Sequence, residues 1–152
     1  MRTKIRLLEK KDIEESSNIL CEYYSKGFAK KCRTEMEAMF LNHAYRPTYI
    51  VAEVNIDGEK KVAGFCGYIQ SWMDYSIHEI IWVAVRKKYS GKGIGTLLTK
   101  KAIDNIKKTK HAKIITLTAI NPAFYQELGF DKYKQFNINE NGKKEYLMVK
   151  YL

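Results

Sequence analysis

The apolar positions along the chain change period several times, and each change predicts an element. Ile80, Ile81, Trp82, Val83 and Val85 form a β-branched and aromatic run, the composition of a buried strand over 77–85. A basic, polar stretch from Arg86 to Ser90 follows, then three glycines at alternate positions, Gly91, Gly93 and Gly95. Beyond them the period turns helical, with Ile94, Leu97, Leu98, Ala102 and Ile106 on one face. Lys107, Lys108 and Lys110 suit the negative end of that helix's dipole.

Upstream, Ile5 to Leu8 reads as a short first strand. Asp12 is placed to cap a helix through Ile13, Ile19, Leu20 and Tyr23, which Gly27 ends. A second helix is predicted over Thr34 to Ala44, with Met36, Met39 and Phe40 on one side and Pro47 marking the exit. Thr48 to Asn55 alternates as a strand, and Asp57-Gly58 turns it into Lys61 to Gln70. Downstream, Lys113 to Ile120 is a strand that must lie parallel to the central one, because a helix joins them. A short helix from Pro122 to Leu128 closes at Gly129. Strands at Tyr133 to Ile138 and Lys144 to Tyr151 meet across Asn141-Gly142. The pattern predicts one α/β domain over 1–152, with seven strands and four helices.

Strand, glycine loop and helix N-terminus, in that order, make an anion site, since unpaired N–H groups and the helix dipole favour negative charge. A P-loop is excluded because no Gly-x-x-x-x-Gly-Lys-Ser/Thr run exists. A dinucleotide fingerprint fails because position 96 is Thr and the strand 113–120 carries no acidic residue. Ser90-Gly91-Lys92-Gly93-Ile94-Gly95 instead resembles the Gln/Arg-x-x-Gly-x-Gly/Ala loop of the GNAT superfamily of acyl-CoA N-acyltransferases. The run 79–85 looks like that family's central strand, and Asn121-Pro122-Ala123-Phe124-Tyr125-Gln126-Glu127-Leu128-Gly129-Phe130 looks like its second signature. Ser90 departs from the pattern by replacing a long side chain at the loop's entrance.

The resemblance implies a mixed, mostly antiparallel sheet flanked by helices, with a parallel strand pair splayed at the cofactor site. It implies acetyl-CoA as co-substrate, its pyrophosphate held by Ser90, Gly91, Lys92, Gly93, Ile94, Gly95 and Thr96. Val83, Ala84 and Val85 would pair with the pantetheine arm, the Val83 N–H serving the oxyanion, and Asn121 and Phe124 would add cofactor contacts. Tyr125 falls where the family keeps its general acid, and an ordinary phenol holds its proton at neutral pH. Glu79 heads an otherwise apolar strand, where partial burial would raise its pKa toward that of a general base. By strict alternation it shares a face with Ile77, Ile81, Val83 and Val85. The expected reaction is acetyl transfer to a primary amine of an acceptor, in a ternary complex. Tyr23, Tyr24, Phe28, Met39, Phe40, Tyr68, Gln70, Trp72, Asp74 and the last hairpin would shape the acceptor site.

Composition adds limits. No apolar run approaches the ~20 residues of a membrane span, and no secretory h-region is visible, so membrane insertion is not expected. Three widely spaced cysteines (Cys21, Cys32 and Cys66) suggest free thiols in a reducing, cytoplasmic compartment. The net charge of +10 attracts polyanions, coenzyme A among them. The lysines, however, show neither an aromatic-interleaved groove nor a helix-turn-helix, which argues against a nucleic-acid-binding protein. A non-catalytic acyl-CoA-binding module is the other rival, and Glu79 with Tyr125 argues against it. His43, His78 and His111 are scattered without ligand spacing, so no metal site is expected. A homodimer is compatible with the resemblance.

Overall fold

The computed structural model describes all residues, Met1 to Leu152. Its seven strands are β1 (Arg2–Leu7), β2 (Thr48–Ile56), β3 (Glu59–Gln70), β4 (Ile77–Val85), β5 (Ile114–Ala119), β6 (Asp131–Ile138) and β7 (Lys144–Tyr151). The helices are α1 (Ile13–Asn18), α2 (Lys26–Ala38), α3 (Ile94–Lys107) and α4 (Pro122–Gln126). The strands form one sheet in the order β1-β2-β3-β4-β5-β7-β6. Every neighbouring pair is antiparallel except β4–β5. No helix is long and apolar enough to cross a membrane.

Two apolar cores lie on opposite faces of the sheet. Ile94, Leu98, Ala102 and Ile106 of α3 pack with Ile80, Ile115, Leu117 and Met148. Ala29, Cys32 and Met36 of α2 pack with Leu20, Tyr49, Val51 and Phe65. Their spacing of three and four residues is the stripe an amphipathic helix needs.

The N-terminal helices differ from their predicted bounds. The first ends early, passing at Ile19–Glu22 into a 3-10 turn, and the second starts at Lys26 rather than Thr34. Gly27 therefore lies in the first turn of α2 instead of ending a helix. Asp12 precedes α1, yet its carboxylate accepts from the Glu9 N–H at 2.8 Å and from Arg6 at 2.7 Å, not from α1. The half-buried, charged guanidinium is the stronger partner.

β4 decides where the site lies. It pairs with β3 throughout, but Gly67 faces Trp82 while Tyr68 faces Ile80, so Ile81 is an extra residue, a bulge. The bulge moves the alternation by one. Ile81, Trp82 and Ala84 pack toward α2, whereas Val83 and Val85 pack toward α3. Glu79 thus shares a face with Ile81 but not with Val83 and Val85, against the strict alternation of the sequence. β4 and β5 pair only at Ile77↔Ile114, His78↔Ile115 and Glu79↔Thr116. β5 meanwhile stays paired with β7 as far as Ala119↔Tyr146. Beyond Glu79 the two parallel strands part, and a cleft opens between them.

Candidate active site

The glycine loop closes the end of the cleft. Gly91 and Gly93 have φ of 76° and 79°, the left-handed region that glycine enters without cost. No atom lies within 4 Å of where a Cβ would stand on either, so the loop's outer side is open. Gly93 precedes the helix, and the first intrahelical bond runs from the Leu97 N–H to the Gly93 carbonyl at 3.0 Å. The N–H groups of Ile94, Gly95 and Thr96 therefore have no acceptor inside the helix. With the dipole of a 14-residue helix behind them, they make the kind of helix N-terminus that favours an anion. Gly95 lies against Phe124, with a Cβ built there 3.5 Å from the ring, an ordinary contact distance.

The edge of β4 facing the gap is the second feature. The Arg86 N–H donates to the Ala63 carbonyl of β3 at 2.8 Å. Amide direction alternates along a strand, so Ala84 also faces β3 while the amides of Val83 and Val85 face the gap. The Ala84 carbonyl lies against Gly64 of β3, as this requires. The Val85 carbonyl accepts the Tyr23 hydroxyl. An extended amide chain entering the gap would find the donors of Val83 and Val85 already aligned, in the manner of strand addition. These features fit coenzyme A: a cradle for its diphosphate leads to a free strand edge for its amide-bearing arm.

The cleft has a volume of about 960 Å³. Tyr23, Tyr24 and Phe28 wall it from the α2 side, and Val83, Ala84, Val85, Gly95, Asn121, Phe124 and Tyr125 from the side of β4, α3 and α4. Tyr125 stands edge-on to Phe124 and to Phe130, at centroid distances of 4.9 and 5.9 Å. Burial, with lesser contributions from Cys66 and Tyr24, pushes its phenol above the ordinary range. It is an acid held protonated in an apolar wall.

The carboxylates are placed less simply. Glu79 is half-buried at the fork of β4 and β5, outside the cleft wall. Glu145, which sequence reading missed, lies in the wall itself. Its position follows from β7 pairing with β5, a long-range fact for which the sequence carries no signal. Of the residues expected to shape the acceptor site, Tyr23, Tyr24, Phe28 and the last hairpin line the cleft, and the others do not. Tyr68 packs in the α3 core and accepts from Asn105 at 3.0 Å. Met39 accepts the Tyr49 N–H, while Phe40 lies under Lys10. Gln70 pairs with His78 in the ladder, and Trp72 stacks on Tyr45 at 3.8 Å. Asp74 holds its own turn by accepting from the N–H and hydroxyl of Ser76. Lys92 and Ser90 are exposed beside the loop. The fold brings His78 and His111 together, ring centroids 5.6 Å apart, but no group of three or more side chains is placed to hold a metal. All three cysteines are free.

Glycine loop, splayed parallel strands and cleft define an acyl-CoA-dependent acetyltransferase fold. The chain belongs to the Acetyltransferase (GNAT) family, whose sequence model matches residues 13–130. Solved structures agree. A GNAT-family protein from Desulfovibrio desulfuricans superposes with a TM-score of 0.82 at 13% identity, covering 99% of each chain. An N-acetyltransferase from Kribbella flavida gives 0.78 at 15% identity, covering 99% of this chain and 98% of that one. The PaiA N-acetyltransferase from Thermoplasma acidophilum, solved with coenzyme A, gives 0.66 at 18% over the whole of both chains. At such identities the likeness is one of fold. No curated protein gives a significant match.

Proposed function

We propose that this protein is an N-acetyltransferase, moving the acetyl group of acetyl-CoA onto a primary amine by direct attack in a ternary complex. The observation that carries this reading is the pair of β4 amides, Val83 and Val85, facing the gap between the open glycine loop and a protonated tyrosine in one cleft. The amine nitrogen attacks the thioester carbonyl carbon; the C–N bond forms and the C–S bond breaks. The Val83 N–H stabilises the developing oxyanion. Tyr125 donates its proton to the departing sulfur, giving the free thiol. Glu79, through a water, takes the proton the amine loses. Because Glu145 lines the cleft where Glu79 does not, it is the alternative base.

The test is kinetic. Glu79→Gln, Glu145→Gln and Tyr125→Phe are compared for free CoA release over a panel of amines, alongside calorimetric titration of acetyl-CoA. The expected result is a fall of about 10²–10⁴ in turnover for Tyr125→Phe and for one glutamate variant, with cofactor affinity retained. Wild-type rates in all three variants overturn the mechanism. Acetyl-CoA binding without turnover of any amine would favour a regulatory module, and no binding would remove the acyl-CoA reading altogether.

A further inference from the structure

Although the chain is strongly basic, its half-buried and buried carboxylates are not uniformly neutralised. Asp12 and Glu53 pair with Arg6, at 2.7 and 2.9 Å. Glu15 and Glu22 pair with Arg86, at 3.6 and 3.2 Å. Glu35, Glu79 and Glu145, also half-buried, pair with no cation. A half-buried carboxylate with no counter-charge in the protein is one that a ligand cation can pair with.

Glu35 has the best-defined setting. It lies in the wall of a second pocket of about 470 Å³, with Tyr45, Pro47, Ile69, Ile81 and Trp82. This pocket shares Lys31, Ile81 and Trp82 with the main cleft, so the two are contiguous. Glu35 is pinned: the Trp82 indole N–H donates to one of its oxygens at 2.6 Å. The Tyr49 hydroxyl, on a fully buried side chain, also lies close enough for the Glu35 charge to bear on it. Trp82 and Tyr45, which line the pocket, carry aromatic rings of the kind that attract cations, with one face of Tyr45 covered by Trp72. Lys31, at the shared wall, is exposed and makes no ion pair with Glu35.

We propose that the pocket bounded by Glu35, Trp82 and Tyr45 binds the distal ammonium group of a diamine- or polyamine-type acceptor. The amine to be acetylated would then lie in the main cleft beside Tyr125. This rests on the acetyltransferase reading and names its substrate class. The apolar wall between the two sites, Ile81 with the Trp82 ring, suits the methylene spacer of such a molecule. The bulge in β4 builds that wall, because it turns both side chains toward α2.

The experiment compares acceptors matched in length: putrescine with butylamine, and cadaverine with pentylamine. The wild type is expected to show a KM about tenfold lower for each diamine, the size of one well-placed ion pair. Glu35→Gln keeps an acceptor for the Trp82 N–H but removes the charge. It should cut the diamine-to-monoamine preference in kcat/KM about tenfold, with Glu35→Asp retaining part of it. Lys31→Gln should raise that preference. Equal use of diamine and monoamine by the wild type, or an unchanged preference in Glu35→Gln, overturns the proposal. Calorimetric titration of the diamines onto free and CoA-loaded protein separates the two readings. Diamine affinity that falls with Glu35→Gln supports this site whether or not CoA binds, and affinity independent of Glu35 overturns it. Absence of heat with CoA removes only the acyl-CoA reading.

Discussion

Tyr125 keeps its proton because its ring is packed between Phe124 and Phe130, where the phenolate would be poorly solvated. A phenol with its pKa raised in this way stays protonated across the whole neutral range. The alkaline limb of the rate profile should therefore not fall at the ordinary phenol pKa of ~10. A pH–rate profile of kcat from neutrality upward checks this, and a fall at that point would mean a solvated tyrosine. Gly93 is a different case: space for a Cβ is open, but its φ of 79° is not one alanine adopts freely. Gly93→Ala should cost about 1–2 kcal/mol at the loop and weaken CoA binding about tenfold, read by calorimetry.

At the scale of elements, two arginines fasten the N-terminal segment to the sheet. Arg6 of β1 joins Asp12 and Glu53, while Arg86 joins Glu15 and Glu22 and donates to the Val62 carbonyl at 3.1 Å. Burial by itself would raise the Asp12 carboxyl, but Arg6 and the Glu9 N–H outweigh it and hold it below the usual range. A depressed carboxyl stabilises the fold above its unfolded pKa and loses that contribution as pH falls through its folded pKa. Denaturant melts should therefore show stability falling below about pH 4. Arg6→Ala should remove about 3 kcal/mol at neutral pH by leaving Asp12 buried without a counter-charge, and should flatten that acid dependence. The Arg86 fastening bears on the site more directly, because the Glu22 it holds also accepts the Lys87 N–H at 2.9 Å, next to the glycine loop.

For the whole molecule, the sheet separates two cores, and the cleft lies where the parallel pair parts between them. A ligand lodged there bridges β4, α3 and α4, so its binding energy should appear as global stability. With CoA at 100 times its dissociation constant the gain is about 2.7 kcal/mol, or a rise in Tm of roughly 5–10 °C for a chain of this size. Thermal melts with and without CoA check this. An unchanged Tm would mean the cradle and the strand edge do not hold the same molecule.

The glycine loop, the central strand, the last two hairpin strands and the parallel β5 were legible because each rests on local signals: a change of period, a turn dipeptide, a helix that forces a crossover. The boundary between α1 and α2 was not, because a glycine in a helix's first turn looks like one that ends a helix, and only packing on the sheet distinguishes them. The bulge at Ile81 was equally hidden, being a mismatch of register between two strands rather than a property of either. From it follow the face of Glu79 and the joint wall of Ile81 and Trp82. Glu145 reaches the cleft through strand pairing, and Glu35 reaches its pocket through the packing of α2. Sequence alone determined the glycine loop at the head of α3 and the family, since backbone conformation there depends on a few adjacent residues. Tertiary structure alone decided which carboxylates line the cleft and the pocket beside it, because that depends on contacts between residues far apart in the chain.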